Sequence, residues 1–224
     1  MVNTIGAFFI VYEILSSVFD LVETDLPDWL DPVVENDKAR IQSGSWTADR
    51  CRRIRLCELD IKDKFTATTL VIYPEFNYET PIFGTEYLRI GGKKFFGATD
   101  FHPVKNDEEY EQKYILDYLG DLPDRDKDNS KFYDLTRFFS RKFWIKKTDK
   151  DFYNEYLEMN EMFLNRYKEC LSKSVQMDTT ENYQVEYDVH MAANDPAHGI
   201  LKSYYSQTFA DKYIQTFLFD LNNK

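Results

Sequence analysis

One helix stands out in the pattern of hydrophobic and polar positions along the chain. Between Asp149 and Lys173, apolar residues recur at spacings of three and four, which places them on one stripe of a helix. The members of this stripe are Phe152, Tyr156, Met159, Phe163 and Tyr167. Weaker patterns predict further helices at Gly6–Val22, Asp107–Leu119, Gln184–Ala193 and Phe209–Leu221.

A block of strand-like segments lies between the first helix and the stripe. Its members are Arg53–Leu59, Thr66–Tyr73, Ile82–Ile90 and Lys93–Phe101, and Phe138–Lys146 follows later. Gly91 and Gly92 join two of them, and paired glycines favour a tight hairpin because both central residues of the turn need positive φ. The polar stretch before Trp46 is predicted to be a connection, with Ser43–Ser45 as a loop.

Helices that flank a block of strands, without alternation of strand and helix, favour one antiparallel sheet covered by helices. We therefore predict an α/β fold: a three-layer α/β/α sandwich with a central antiparallel sheet. A chain of 224 residues suits one domain, which we assign to residues 1–224.

Composition and charge exclude several classes of function. The chain has 39 acidic and 28 basic residues, a net charge of −11, which argues against general binding to nucleic acid. Three cysteines without a CxxC pair argue against a structural zinc or a ligated iron–sulfur cluster, and indicate a reducing compartment. Glu13 and Asp20 interrupt the most apolar stretch, so no membrane span or signal peptide is expected.

A carboxylate and an imidazole are the first candidates for chemistry. Asp100 and His102 lie two apart in a strand-like run, so their side chains share one face, and Ala98 leaves room beside them. Such a pair suits proton transfer in a pocket. The alternative is a polar pair on the surface at the end of a strand, which Pro103 terminates.

Other polar residues have a structural explanation beside the functional one. Asp195 precedes Pro196, a pattern typical of the N-cap of a following helix. Cys51 and Cys57 flank a basic run, but no base accompanies them, and we interpret both as packing residues. The clustered cations are either solvated faces of strands or a patch for ligand carboxylates or an acidic partner: Arg50, Arg52, Arg53, Arg55, Lys93, Lys94, Arg141, Lys142, Lys146 and Lys147.

Several segments, in the same order, resemble the ferredoxin-dependent bilin reductases. The resemblance extends from about Trp46 to the C-terminus and is weak before it. It rests on Leu70–Gly84, Gly97–Pro103, Glu109–Ile115, Lys131–Asp134 with Phe139-Ser140, and Asn194–Gly199.

This resemblance implies the same three-layer fold and the reduction of a linear tetrapyrrole, biliverdin IXα or a dihydro derivative. It implies no bound cofactor or metal: electrons come singly from a reduced 2Fe–2S ferredoxin, and protons come from pocket carboxylates and water. Asp100 is then the main proton donor, with Asp195 and His102 as further catalytic residues. Thr69, Ser140, Arg141 and Lys146 are the candidates for substrate binding, with Lys146 at a propionate.

Individual positions favour one branch of the family. The phycocyanobilin-forming branch carries Glu and His at the positions of Cys57 and Thr69, and the plant branch carries Asn at the position of Asp100. The phycoerythrobilin pathway keeps both acids, as Asp100 and Asp195 do here. Glu109–Ile115 and Lys131–Ser140 most resemble the enzymes of that pathway that reduce biliverdin at its C15–C16 bridge to 15,16-dihydrobiliverdin. His102 departs from this group, in which Gln is expected.

Two alternatives stay open: a four-electron phycoerythrobilin synthase of the same fold, and a bilin-binding or lyase-like protein without reductase activity. The expected partners are the bilin, ferredoxin and a second bilin reductase that receives the product. We further expect a monomer in the cytoplasm of a cyanobacterium or a phage-infected host, or in the plastid stroma of an alga.

Overall fold

The computed structural model of the protein describes residues 6–125, 137–179 and 181–221. The predicted hairpin is present in it: Gly91 and Gly92 have φ of 59° and 63°, in the left-handed region that glycine adopts without a steric penalty. The strands on either side of this turn pair in register from Ile82 opposite His102 to Ile90 opposite Lys94.

Eight strands of the described residues form one sheet, and each strand pair is antiparallel. They are β1 (Val22–Glu23), β2 (Val33–Glu35), β3 (Ala39–Ala48), β4 (Cys51–Ile61), β5 (Phe65–Pro74), β6 (Ile82–Ile90), β7 (Lys94–His102) and β8 (Trp144–Thr148). The order across the sheet is β1-β3-β4-β5-β6-β7-β8, and β2 also pairs with β3.

The helices lie before, between and after the strands. They are α1 (Ala7–Val18), α2 (Glu108–Glu111), α3 (Asp117–Leu119), α4 (Tyr153–Lys173), α5 (Glu181–Asn194), α6 (Ala197–Tyr204) and α7 (Gln207–Lys212). Wider π-helical turns occupy Gln112–Leu116 and Tyr213–Leu218. Within the described ranges, no helix combines the length and apolarity needed to cross a membrane.

One face of the sheet packs against α1 and α4, and we call it the α4 face. The predicted stripe of α4 lies here: its Tyr167 ring is 5.4 Å from that of Phe83, and its Phe163 ring is 5.9 Å from that of Phe101. The backbone N–H of Phe8, at the start of α1, donates to the buried Glu58 carboxylate at 2.8 Å. This layer therefore combines apolar packing with an anchored helix end.

The opposite face is covered by the C-terminal helices, and we call it the C-terminal face. Ser43 and Tyr213 share a hydrogen bond of 2.8 Å between their hydroxyl groups. Tyr73 donates to Asp188 of α5 at 2.7 Å. Helices on both faces of the antiparallel sheet confirm the predicted three-layer sandwich, whereas the single domain over residues 1–224 stays a prediction.

The prediction of a connection before Trp46 with a loop at Ser43–Ser45 is wrong, because these residues belong to β3. Its polar side chains are buried, with Ser43 bonded to Tyr213 and Ser45 accepting from the Thr24 hydroxyl at 2.9 Å. Hydrogen bonding inside the protein, rather than exposure, accounts for the polarity of this strand.

The predicted strand Phe138–Lys146 is also misplaced, since β8 begins only at Trp144. The preceding residues form turns whose backbone bonds to side chains: the N–H of Ser140 donates to Asp100, and Phe138 O lies 3.0 Å from His102 Nδ1.

The predicted helices are present, with different ends. Gly6–Val22 is helical only over Ala7–Val18, and the predicted helix Gln184–Ala193 extends over Glu181–Asn194. Asp107–Leu119 and Phe209–Leu221 each contain a π-helical turn, so neither is a continuous α-helix. The segment Lys131–Asp134, which contributes to the family resemblance, lies outside the described residues.

Candidate functional site

Two rows of side chains cross the C-terminal face side by side. Residues directly opposite each other in antiparallel strands share a face, so the strand register defines each row. The first row contains Ser45, Arg55, Val71, Gly84 and Asp100. The second contains Ser43, Cys57, Thr69, Glu86 and Ala98.

Part of this face is incompletely covered. On β5 to β7, the side chains of the C-terminal face are half-buried at Ala67, Thr69, Glu86, Leu88 and Phe96. Their neighbours on the α4 face are buried, as Thr68, Leu70 and Thr85 illustrate. A half-covered apolar surface with a few polar groups is typical of a site for a mostly apolar ligand.

Glu86 is the acid of this half-covered surface. Burial raises the pKa of Glu86 to about 7, and repulsion from Asp195 adds to this shift. Thr69, directly opposite on β5, and Arg55 both lower the pKa of this carboxyl. Near pH 7, Glu86 therefore exists in both protonation states, as a proton donor requires.

Asp195 approaches Glu86 from the helical layer, at the turn between α5 and α6. Burial raises the pKa of Asp195, while a hydrogen bond from the backbone N–H of Ala197, at 2.7 Å, lowers it. This bond gives Asp195 a capping role beside any chemical one. The helix itself begins at Ala197, one residue after Pro196. Two carboxyls that repel each other resist simultaneous ionisation.

Asp100 lies in the first row but is tied to a turn. Its side chain is 0% exposed, and its two oxygens accept from the Ser140 backbone N–H at 2.8 Å and the Ser140 hydroxyl at 2.5 Å. His102 Nδ1 lies 3.5 Å from Asp100 Oδ2. Asp100, His102 and Ser140 thus form one cluster, as the sequence suggested for the first two, and both oxygens of the carboxylate already have donors.

His102 occupies the space beside Gly84. A Cβ on Gly84 would lie 2.3 Å from His102 Nε2, so only glycine allows this imidazole its position. The ring is flanked by Phe139 and Tyr187, at 5.0 and 5.2 Å between ring centroids. His102 is buried, and packing fixes its orientation.

Lys146 does not join the other predicted binding residues. It is paired with Gly97, so it lies on the α4 face, where it binds Glu155 at 2.5 Å and lies over the Phe152 ring. Lys147, paired with Phe96, lies on the C-terminal face and is exposed. Because neighbouring residues of a strand face opposite sides of the sheet, Lys146 lies away from Thr69, and its contact with a propionate stays a prediction.

Arg141 and the remaining basic residues do not form one free patch. Arg141 is exposed and binds Asp124 at 2.6 Å, whereas Lys142 is buried and donates to Leu122 O at 2.6 Å. Arg52 and Arg53 both pair with Asp220. The exposed members of the predicted set are Lys93, Lys94, Arg141 and Lys147.

The two cysteines of β4 behave as packing residues. Both are buried, and burial raises the pKa of Cys57 to about 11 and that of Cys51 further. Neither thiol is therefore a reactive thiolate near neutral pH.

Sequence reasoning missed Glu86 and the role of Arg55. A glutamate in a strand normally indicates a solvent-facing position, and Arg55 was one of several clustered cations. The sequence does contain one indication of Glu86: it lies two residues after Gly84 in the same strand, so the two residues share a face.

Comparisons with known proteins agree on one family. A sequence model described as ferredoxin-dependent bilin reductase matches residues 11–220. The chain is 31% identical over 216 residues to the 15,16-dihydrobiliverdin:ferredoxin oxidoreductase of Nostoc punctiforme, covering 90% of this chain and 88% of the relative. The enzyme of the same name from Prochlorococcus marinus is 30% identical over 199 residues, covering 81% of each.

A solved structure supports the fold. Phytochromobilin synthase from tomato, solved in complex with biliverdin, superimposes with a TM-score of 0.76 at 20% identity. The match covers 96% of this chain and 83% of the tomato chain.

Proposed function

The chain belongs to the ferredoxin-dependent bilin reductases, and from this premise we propose that it reduces biliverdin IXα at C15–C16 to 15,16-dihydrobiliverdin. As a member of this family it is an oxidoreductase whose electrons come from ferredoxin. The finer assignment is supported by the relatives from Nostoc punctiforme and Prochlorococcus marinus, which carry the name of this reaction.

The observation that carries the proposal is the half-covered part of the C-terminal face, with Glu86 on it and Asp195 in the layer above. An extended conjugated ligand between these layers would bury the apolar side chains of Ala67, Leu88 and Phe96. It would also place two carboxyls with raised pKa beside the ligand.

The reaction consumes two electrons and two protons. Each of two reduced ferredoxins delivers one electron, and each electron is followed by one proton, so that C15 and C16 each gain one hydrogen. After the first electron the bilin is a radical anion, which is more basic than the ground state. A neutral carboxylic acid beside it can then donate the proton.

We assign the donor role to Glu86 and Asp195 rather than to Asp100. The carboxylate of Asp100 is occupied by the two donors of Ser140, whereas Glu86 lies on the half-covered surface with a pKa of about 7. Asp100 and His102 then act as positioning residues for the turn around Ser140. Thr69 tunes Glu86 from the neighbouring strand.

The propionates of the bilin need cations at the solvent edge. Lys94 and Lys147 are exposed and share the C-terminal face with the half-buried Phe96, which is paired with Lys147 and lies two residues after Lys94. We therefore assign the propionates to these two lysines. Arg141 and Lys93 stay candidates for contacts with acidic ferredoxin, and the monomer, the cytoplasmic location and a second reductase that takes the product stay predictions.

Anaerobic turnover with biliverdin, ferredoxin and a ferredoxin-reducing system tests the proposal, with the pigments separated by chromatography. We expect 15,16-dihydrobiliverdin as the end product, and no product when ferredoxin is omitted. Phycoerythrobilin as the end product would assign the chain to the four-electron synthases. A bound pigment that stays biliverdin would leave only the bilin-binding function.

A further inference from the structure

Arg55 is a buried cation with unused donors. Arg55 lies in the middle of β4, with its side chain on the C-terminal face, and the residue is only 2% exposed. Its Nε and Nη1 atoms have no hydrogen-bond acceptor among the described residues. Buried donors of this kind are nearly always satisfied in folded proteins, and an exception calls for an explanation.

The guanidinium stays charged in this position. Burial alone would lower the pKa of Arg55, but Tyr73, Cys57, Tyr187 and Asp188 raise it, and the balance is above the ordinary value. Phe219 covers one side, with its ring centroid 5.1 Å from the guanidinium carbon. The surrounding groups thus keep Arg55 charged, although two of its nitrogens have no acceptor within the described part of the chain.

Arg55 faces the space that contains the proposed proton donors. It belongs to the row next to Glu86, and its charge lowers the pKa of both Glu86 and Asp195. The rows place it several strands from Lys147, which lies on β8 at the other side of the half-covered surface. A ligand that spans this surface therefore presents different groups to the two cations.

We infer that Arg55 donates hydrogen bonds to a lactam carbonyl oxygen of a terminal ring of the bound bilin. This inference rests on the proposed function. A lactam oxygen is an acceptor at the end of the conjugated system, and a buried cation at this oxygen stabilises the negative charge that arrives with each electron. The propionates, which are charged and strongly hydrated, remain with the exposed lysines.

Two variants test the inference, with a control on the same strand and face. Arg55→Met removes the donors, Arg55→Lys keeps the charge, and Arg53→Met removes a cation whose contacts are Asp220 and Phe217 O. Circular dichroism and thermal melting first establish that each variant is folded. Biliverdin is then titrated, and the midpoint potential of the bound pigment is measured with a chemical reductant, without ferredoxin.

We expect Arg55→Met to weaken biliverdin binding about ten-fold or more, the amount that loss of a charged hydrogen bond produces, and to shift the midpoint of the bound pigment downward. Arg55→Lys should show smaller losses of affinity and of midpoint potential than Arg55→Met. The affinity of Arg53→Met should stay within about two-fold of that of the wild type. Wild-type affinity and potential in a folded Arg55→Met would overturn the inference.

Biliverdin dimethyl ester distinguishes a contact of Arg55 with a lactam oxygen from a contact with a propionate. The ester keeps the lactam groups but removes the propionate charges, so the loss of affinity in Arg55→Met should persist with it. A loss that disappears with the ester would assign Arg55 to a propionate instead and overturn the lactam contact. If the wild type itself does not bind biliverdin, the proposed function is wrong. If the wild type binds and Arg55→Met binds equally well, only the inference about Arg55 is wrong.

Discussion

The carboxylate of Asp100 on β7 holds Ser140 by two hydrogen bonds, one to its backbone N–H and one to its hydroxyl. The Ser140 hydroxyl in turn accepts from the N–H of Lys142 at 3.0 Å. Asp100 therefore anchors the turn that precedes β8, where the segment departs from the strand that its sequence suggests.

Asp100→Asn should lower stability more than it lowers catalysis. The amide keeps one acceptor oxygen for the Ser140 N–H but loses the charged bonds, at a cost of about 1–2 kcal/mol. We expect product formation within about three-fold of the wild type, and Ser140→Ala to show a similar loss of stability. Accumulation of a bilin radical in Asp100→Asn, with little product, would restore Asp100 as the proton donor.

Glu86→Gln should bind biliverdin and accept the first electron but form little product. The amide preserves shape and hydrogen bonding but cannot donate a carboxylic proton, and loss of general acid catalysis typically costs about 10²–10⁴ in rate. Glu86→Asp, which retains an acid, serves as the matched control and should be far more active. The radical is followed by electron paramagnetic resonance and the product by chromatography; normal turnover of Glu86→Gln would exclude this residue as donor.

The stability of the protein should fall as pH rises from about 4.5 to about 7, in part because of Glu86. The folded protein keeps this carboxyl protonated up to a pKa of about 7, whereas the unfolded chain releases the proton near 4.5. Because the side chain is partly exposed, we expect about 1–2 kcal/mol from this group.

Glu86→Gln cannot ionise and should therefore be more stable than the wild type above pH 7, by the same amount. Urea unfolding at several pH values measures the difference. Asp188, whose pKa burial raises to about 6, contributes equally to both proteins and cancels. Parallel stability curves for the two proteins would contradict the raised pKa of Glu86.

Lys147→Ala should raise the KM for biliverdin, and Lys146→Ala should not. The two lysines are neighbours in sequence but lie on opposite faces of β8, and only Lys147 shares the face with Glu86. For an exposed charge pair we expect an increase of about two- to five-fold that declines with added salt. Equal effects of both substitutions, or a larger effect of Lys146→Ala, would contradict the assignment of the propionates.

Gly84→Ala should destabilise the protein by about 1–3 kcal/mol, because the new Cβ meets the enclosed imidazole of His102. His102→Ala removes the clash, so the double variant should lose less than the sum of the single variants. Gly199→Ala in α6 is the control: its Cβ would meet nothing within 4 Å, so it should be neutral or slightly stabilising. Additive losses at Gly84 and His102 would indicate that the imidazole moves aside freely.

The central strands of the sheet could be predicted because the residues within and next to each segment already indicate the structure that it adopts. Ile82–Ile90 was placed with its observed ends, since the paired glycines that follow it indicate the turn of a hairpin. β3 was missed because Ser43 and Ser45 are buried by partners in distant segments, Tyr213 and Thr24. No local pattern reveals such a partner.

The site was predicted only in part, for a geometric reason. Asp195 and Thr69 were found through the family resemblance and do lie near one carboxyl, but that carboxyl, Glu86, was not expected. Its raised pKa depends on a face that the C-terminal helices leave half-covered, and on an acid from the turn between α5 and α6. Both conditions arise from packing between layers, which periodicity within a single segment does not encode.

Because Asp195 lies in the turn between α5 and α6, the pKa of Glu86 depends on the helical layer as well as on the sheet. Glu86 belongs to β6 of the sheet, while Asp195 is attached to the start of α6 because its carboxylate accepts from the N–H of Ala197. A displacement of that turn changes the repulsion between the carboxyls and with it the proton affinity of Glu86. With Glu86 as the proposed proton donor, we therefore expect substitutions in the α5–α6 turn to shift the pH optimum of turnover while both acids, and every residue on the sheet, stay unchanged.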